Sequence, residues 1–233
     1  MKISIITLFP EMFVGPFSES IIKRGIEKGA LDINIIQLRD FGVGKHRMVD
    51  DTPYGGGTGM LLKVDVMDAV IESVKDKRLN STDQQVVLLD PRGEVFKQTH
   101  AQAFSHLKHL ILICGHYEGY DERIRDLVDQ TISIGDFVLT GGEIPAMLIA
   151  DSVGRLVSGV LKDDATTHES FTLSHEENNS LLEYPQYTMP SDYKGIKVPE
   201  VLLSGNHQEI EKWRREQAEK ITQIHRPDLL KTS

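Results

Sequence analysis

Apolar residues recur along this chain in two rhythms, and their alternation predicts its architecture. Five short runs, Ile3 to Phe9, Leu31 to Leu38, Gln85 to Leu89, His109 to Cys114 and Gln130 to Ile134, are apolar and β-branched enough to be strands buried on both faces. Between them come stripes at helical spacing. Ser18 stands ahead of Ile21, Ile22 and Ile26 with Gly29 as a stop, and Val64, Met67, Val70, Ile71 and Val74 share one face of the next helix. Another helix is expected around Gln98 to Leu107, and one more from Pro145 to Val157, where Asp151 and Arg155 lie one turn apart. Strands separated by helices predict an α/β fold: a mainly parallel sheet with helices on both faces, binding its ligand beyond the carboxyl ends of the strands.

Three of the runs end in turns at that edge. Leu89 leads into Asp90-Pro91-Arg92-Gly93, Cys114 into Gly115-His116-Tyr117-Glu118-Gly119, and Ile134 into the stretch Gly135 to Gly142. Such turns leave main-chain N–H and C=O groups that no sheet uses, and these bind water, each other or a ligand edge. A fourth segment, Arg39 to Gly59, has no period: it carries Lys45-His46-Arg47 and then Gly55, Gly56, Gly57 and Gly59. A compact domain seldom keeps so long a loop without a use, yet a ligand-facing loop and a mobile surface loop fit this one equally. It is not a phosphate loop, since no Gly-Lys-Ser/Thr follows, and the dinucleotide spacing fails at Met60.

Composition shifts after Leu161. Lys162 to Ser180 is polar and aperiodic, which predicts a flexible linker between a domain of residues 1–161 and a smaller one of residues 181–233. In the smaller one, Ile210, Trp213, Ile221 and Ile224 predict one helical stripe, with Lys212, Arg214, Arg215 and Lys220 off it and His225 and Arg226 just beyond. That cluster is the best place for phosphate contacts in a chain whose net charge of −9 is not that of a general nucleic-acid binder. A single cysteine, Cys114, excludes an intrachain disulfide and fits a reducing compartment. With no apolar run of membrane-spanning length and no signal-peptide pattern, a cytoplasmic protein is expected.

Five stretches, in this order, resemble the bacterial tRNA (guanine-N1)-methyltransferase family over nearly the whole chain. They are Lys45-His46 through Val49-Asp50-Asp51-Thr52-Pro53-Tyr54-Gly55-Gly56-Gly57, Cys114 through Arg123, Ser133 through Glu143, Tyr184 through Thr188, and Leu202 through His207. The resemblance implies a methyltransferase domain of the SPOUT class with a trefoil knot, a small helical C-terminal domain that binds tRNA, and a homodimer with active sites at the subunit interface. It implies S-adenosylmethionine held bent in the knot. The positions matching its binding turns are Leu89, Pro91, Gly93, Gly115, Tyr117, Gly119, Ser133, Ile134, Gly135, Asp136, Phe137, Val138, Leu139, Gly141 and Gly142. The implied acceptor is the guanine adjoining the 3′ side of the anticodon.

N1 of guanine carries a proton at neutral pH, so its methylation needs a base for that proton and a cation for charge developing on O6. By the resemblance Arg155 is the cation, and Glu169, standing where the family usually has Asp, is the base, with His168 beside it as a lesser candidate. Glu118 matches a residue the family links to a divalent cation, Mg²⁺ by its hardness. A zinc site from His116, Glu118, Asp121 and Glu122 is disfavoured, because neighbouring loop residues need not converge. Met189 stands where the family usually has Arg, and extra residues lie around Ser174 to Asn179. The rival readings are a noncatalytic RNA-binding dimer and a nucleotide-dependent oxidoreductase.

Overall fold

A strand stretch with parallel neighbours on both sides and helices over both faces has nowhere to put a charged side chain, and Ile3–Thr7, Val86–Leu89 and Leu110–Cys114 of the first unit carry none. The computed structural model describes residues 1–162, 165–174 and 180–230. They fall into two compact units, Met1–Leu161 and Lys162–Ser233. In the first, β1 (Lys2–Thr7), β2 (Asp32–Gln37), β3 (Gln84–Val95), β4 (His109–Cys114) and β5 (Gln130–Ser133) form one sheet in the order β2-β1-β4-β3-β5. Every pairing in it is parallel.

Successive strand residues enter two separate cores. Ile3, Ile5, Val87, Leu89, Leu110, Leu112 and Cys114 pack on one face against Ala101 and Phe104 of α3 (Gln98–Ser105) and Ala146, Ile149, Ala150 and Val153 of α4 (Glu143–Gly154). Ile6, Val86, Leu88, Ile111 and Ile113 pack on the other against Val66, Met67, Val70 and Ile71 of α2 (Val64–Val74). The helix α1 (Ser20–Glu27) buries Ile22 and ends ahead of Gly29, whose φ of +71° is the left-handed stop expected of it.

The strand expected to turn at Asp90-Pro91-Arg92-Gly93 instead detours and resumes. Leu89 and Glu94 both register with Ile132, and Val95 continues opposite Ser133. The four residues between them bulge out of the sheet. Gly93 makes the return possible, because a Cβ there would lie 2.5 Å from the Ile132 nitrogen and 2.6 Å from the Thr131 carbonyl oxygen.

At the amino end of the sheet His109 is 1% exposed, its ring held between Ser4 Oγ at 2.9 Å and Gln84 Oε1 at 2.8 Å. Gln84 Oε1 also accepts the Asp76 N–H, so it is an acceptor here; Nδ1 of His109 therefore donates, and Nε2 accepts from Ser4. Burial, reinforced by the Lys2 charge, lowers the imidazole from 6.5 to about 4. Between those values the unfolded chain binds a proton that the folded chain refuses. Stability is therefore complete above pH 6.5 and falls by about 2 kcal/mol as pH drops toward 4. Urea midpoints across this window should show the slope in the native protein and a flatter one in His109→Gln; equal slopes would refute it.

The second unit is built on α5 (His207–His225), capped by Asn206, whose side chain accepts the Glu209 N–H. Its buried seam is Ala218 and Thr222 with Ile210, Trp213 and Ile221 half-buried, whereas Ile224, expected in the stripe, is 63% exposed. Thr222 explains the shift: its hydroxyl donates to Ala218 O and accepts the Leu182 N–H, a role no apolar side chain fills. Residues of the expected linker fold with this unit. Leu173–Ser174 pairs antiparallel with Ser180–Leu181, and the Glu183 N–H donates to Ser170 Oγ. Residues 175–179, the body of the extra stretch, lie outside the described residues.

Arg214 does not project away from the seam as expected. It is half-buried over the Tyr184 ring at 5.0 Å and pairs with Glu211. Arg215 and Lys212 also face acids on their own helix, Glu219 and Glu216, and Arg226 pairs with Asp228. Among the described residues no helix is long and apolar enough to cross a membrane.

Candidate functional site

Parallel pairing delivers the detour of β3 and the carboxyl ends of β4 and β5 to one edge, and the detour and the segments leaving β4 and β5 wall a cavity of about 230 Å³. Of the residues matched to donor binding, Leu89, Pro91, Gly115, Tyr117, Gly119, Ser133, Ile134, Gly135, Phe137, Val138, Leu139, Gly141 and Gly142 line it. Gly93 and Asp136 do not. Gly93 serves the return of β3 to the sheet, and Asp136 sits in the last loop outside the wall. Asp90, His116, Glu118, Tyr120, Ile132, Thr140 and Pro145 complete the lining. All but Pro145 adjoin a matched residue in sequence, which is the signal that would have found them.

Close approach of backbone explains the glycines. The Gly142 N–H donates to Gly115 O at 2.8 Å, and a Cβ on Gly142 would lie 2.6 Å from Cys114 Cα and 2.7 Å from the Gly115 nitrogen. A Cβ on Gly141 would run into Glu143 Oε2 and His116 Nδ1. Glu143, 3% exposed, accepts from Thr7 Oγ1 at 2.8 Å and so fixes the start of α4 beneath the cavity. The Cys114 thiol is pushed well up by burial and by the Glu143 charge, and stays protonated at neutral pH.

An ionic lattice braces one wall. Arg92, on the β3 detour, bonds Asp90 at 3.1 Å, Glu122 at 3.1 Å and the Tyr120 hydroxyl at 2.8 Å. Burial alone would raise the Asp90 carboxyl, but hydrogen bonds from Arg92 and Tyr120 outweigh it and hold the group low. Tyr117, in the second wall, has a φ of +60°, uncommon for an aromatic residue. Its hydroxyl accepts from Arg39 Nη2 at 3.2 Å, and burial together with the Asp50 carboxylate raises the phenol.

The glycine-rich segment is rooted in this wall. Asp50–Asp51 pairs with Leu61–Leu62, the Leu62 N–H donates to Gly119 O, and the Glu118 and Asp121 N–H groups donate to Met60 O and Leu62 O. Gly59 lies so close to Glu118 that a Cβ would overlap its side chain.

The residues matched to catalysis are not gathered at this cavity within one unit. Arg155 caps the far end of α4, and ten residues of helix put it about 15 Å along the axis from Pro145. Gly154 beside it lies against Leu31, at the entrance to β2 and hence at the opposite edge of the sheet. Glu169 belongs to the second unit, where its carbonyl accepts from Thr172 Oγ1 at 2.8 Å. Glu118 lines the cavity, but among the described residues no three His, Cys, Asp or Glu side chains converge to hold a metal ion.

The family described as "tRNA (Guanine-1)-methyltransferase TrmD" matches residues 1–232. A tRNA (guanine-N(1)-)-methyltransferase of Dictyoglomus turgidum is 52% identical over 235 residues, covering 100% of this chain and 91% of that protein. Proteins of the same name from Metamycoplasma arthritidis and Geobacillus kaustophilus are each 51% identical, covering 99% of this chain and 96% and 91% of their own lengths.

Proposed function

The chain belongs to the tRNA (guanine-1)-methyltransferase family, and from that membership we propose that it methylates N1 of the tRNA guanine on the 3′ side of the anticodon, in the cytoplasm, using S-adenosylmethionine. The observation that carries the reading is the cavity itself, walled by the β3 detour and by two loops whose Gly115, Gly119, Gly135, Gly141 and Gly142 line it. An adenine edge is read by such groups without charged side chains, and the apolar faces of Phe137, Val138 and Leu139 suit its rings. The fit supports the donor, and with it the knotted SPOUT arrangement of the family. The donor supplies a methyl group on a sulfonium centre.

Every other task falls to this chain. Glu169 takes the N1 proton as the nitrogen forms its bond to carbon, and Arg155 holds the charge gathering on O6. A Mg²⁺ ion, which takes one or two carboxylates and keeps its own waters, would be held by Glu118 at the cavity wall.

Arg155 enters through a second copy. Ile144 and Leu148, 50% and 42% exposed, share a face of α4 with Asp151 and Arg155. Two copies packed antiparallel along that face would bring the Arg155 of each to the Pro145 end of the other, beside its cavity. This favours a homodimer with composite sites.

Methyl transfer from labelled S-adenosylmethionine to a transcript with guanine after the anticodon is expected, and loss of transfer when that guanine becomes adenine. Calorimetry should show binding of S-adenosylmethionine and none of NAD. NAD binding without transfer would favour the oxidoreductase, and RNA binding without transfer the noncatalytic dimer.

A further inference from the structure

The tip of the glycine-rich segment, Pro53 to Gly57, does not line the cavity. Pro53-Tyr54-Gly55-Gly56 is a tight turn closed by the Gly56 N–H on Pro53 O, and Gly55 supplies the φ of +86° that its third position demands. That geometry puts Tyr54 at the corner, where it is 100% exposed. A Cβ on Gly55 or Gly56 would meet nothing within 4 Å, so the corner stands clear of the body of the protein. One of its feet, Met60 to Leu62, is however hydrogen-bonded to Glu118, Gly119 and Asp121, and the other, Asp50–Asp51, is paired to the first. A large aromatic face kept wholly in water beside a binding cavity recovers its burial only when something flat covers it.

We propose that Tyr54 is a stacking platform for a nucleobase in the single-stranded stretch around the methylated guanine, and hence a residue that governs RNA recognition and not donor binding. This rests on the tRNA reading of the cavity. N1 lies on the pairing edge of guanine, and bringing it to a methyl group inside a cavity takes the base out of its stack. The neighbouring base then loses one covered face. A tyrosine ring on a turn rooted at the cavity mouth replaces that cover for any base, since every base has a π face. The glycines beside it let the corner adjust to the RNA backbone while the feet stay fixed.

The test combines methyl-transfer kinetics with the fluorescence of a transcript carrying 2-aminopurine next to the target guanine. Tyr54→Ala should raise KM for RNA roughly 10- to 100-fold, leave KM for S-adenosylmethionine unchanged, and abolish the fluorescence quenching seen with the native protein. Tyr54→Phe should keep both. An alanine variant with native KM and quenching overturns the proposal, as does a phenylalanine variant as impaired as alanine. A native protein that quenches but transfers no methyl group refutes the methyltransferase reading and leaves Tyr54 its role. One that transfers normally while Tyr54→Ala matches it does the reverse, and failure to bind RNA refutes both.

Discussion

Gly142→Ala is expected to lower the affinity for S-adenosylmethionine about 100-fold and to destabilise the fold by about 1–3 kcal/mol. Its φ of −82° and ψ of 0° are open to any residue, so the cost is one of space and not of backbone conformation. The added carbon would press on Cys114 Cα and the Gly115 nitrogen, main-chain atoms at the end of a fully buried central strand. They cannot yield without moving β4 between its two neighbours, or breaking the Gly142 to Gly115 bond that joins two walls of the cavity. Calorimetry and urea denaturation measure the two effects, with Gly15→Ala as a control whose added methyl meets nothing within 4 Å. A Gly142→Ala protein that bound the donor normally would show that the two walls do not act together.

Glu169→Gln should cut the rate of methyl transfer by about 10²- to 10⁴-fold while leaving donor affinity unchanged. The amide keeps the size and hydrogen-bonding reach of the carboxylate but cannot take a proton, so the variant isolates the proposed chemistry from packing. Glu169→Asp should stay active, because the shorter acid can still take a proton. Single-turnover transfer measures the effect. Near-native turnover in the glutamine variant, with His168→Gln impaired instead, would move the base to His168.

The sheet was legible because strands buried on both faces leave little room for charged residues, and the runs from Ile3, Leu110 and Gln130 carry none. The resumption of β3 was not. Asp90-Pro91-Arg92-Gly93 reads as a turn whether the strand stops or returns, and only its register with Ile132 distinguishes the two. The cavity was legible as three loop tips, but not the side chains that brace it: Arg92 meets Tyr120 and Glu122 across 28 and 30 residues of chain. In the second unit, Thr222 replaced the expected Ile224 because a hydroxyl with two main-chain partners can occupy a seam that apolar periodicity assigns to larger side chains. The remoteness of Arg155 from Pro145 was already implied by the ten residue steps of helix between them.

The detour in β3 has a mechanical meaning. Since Leu89 and Glu94 register with the same residue of β5, the arch between them is anchored at both springing points, and Arg92 ties its crown to the Tyr120 loop. That face of the cavity shifts only if hydrogen bonds of the sheet break with it, so its stiffness is that of the sheet and not of a loop. An incoming donor meets a surface already set in shape, and little of its binding energy goes into ordering the protein around it.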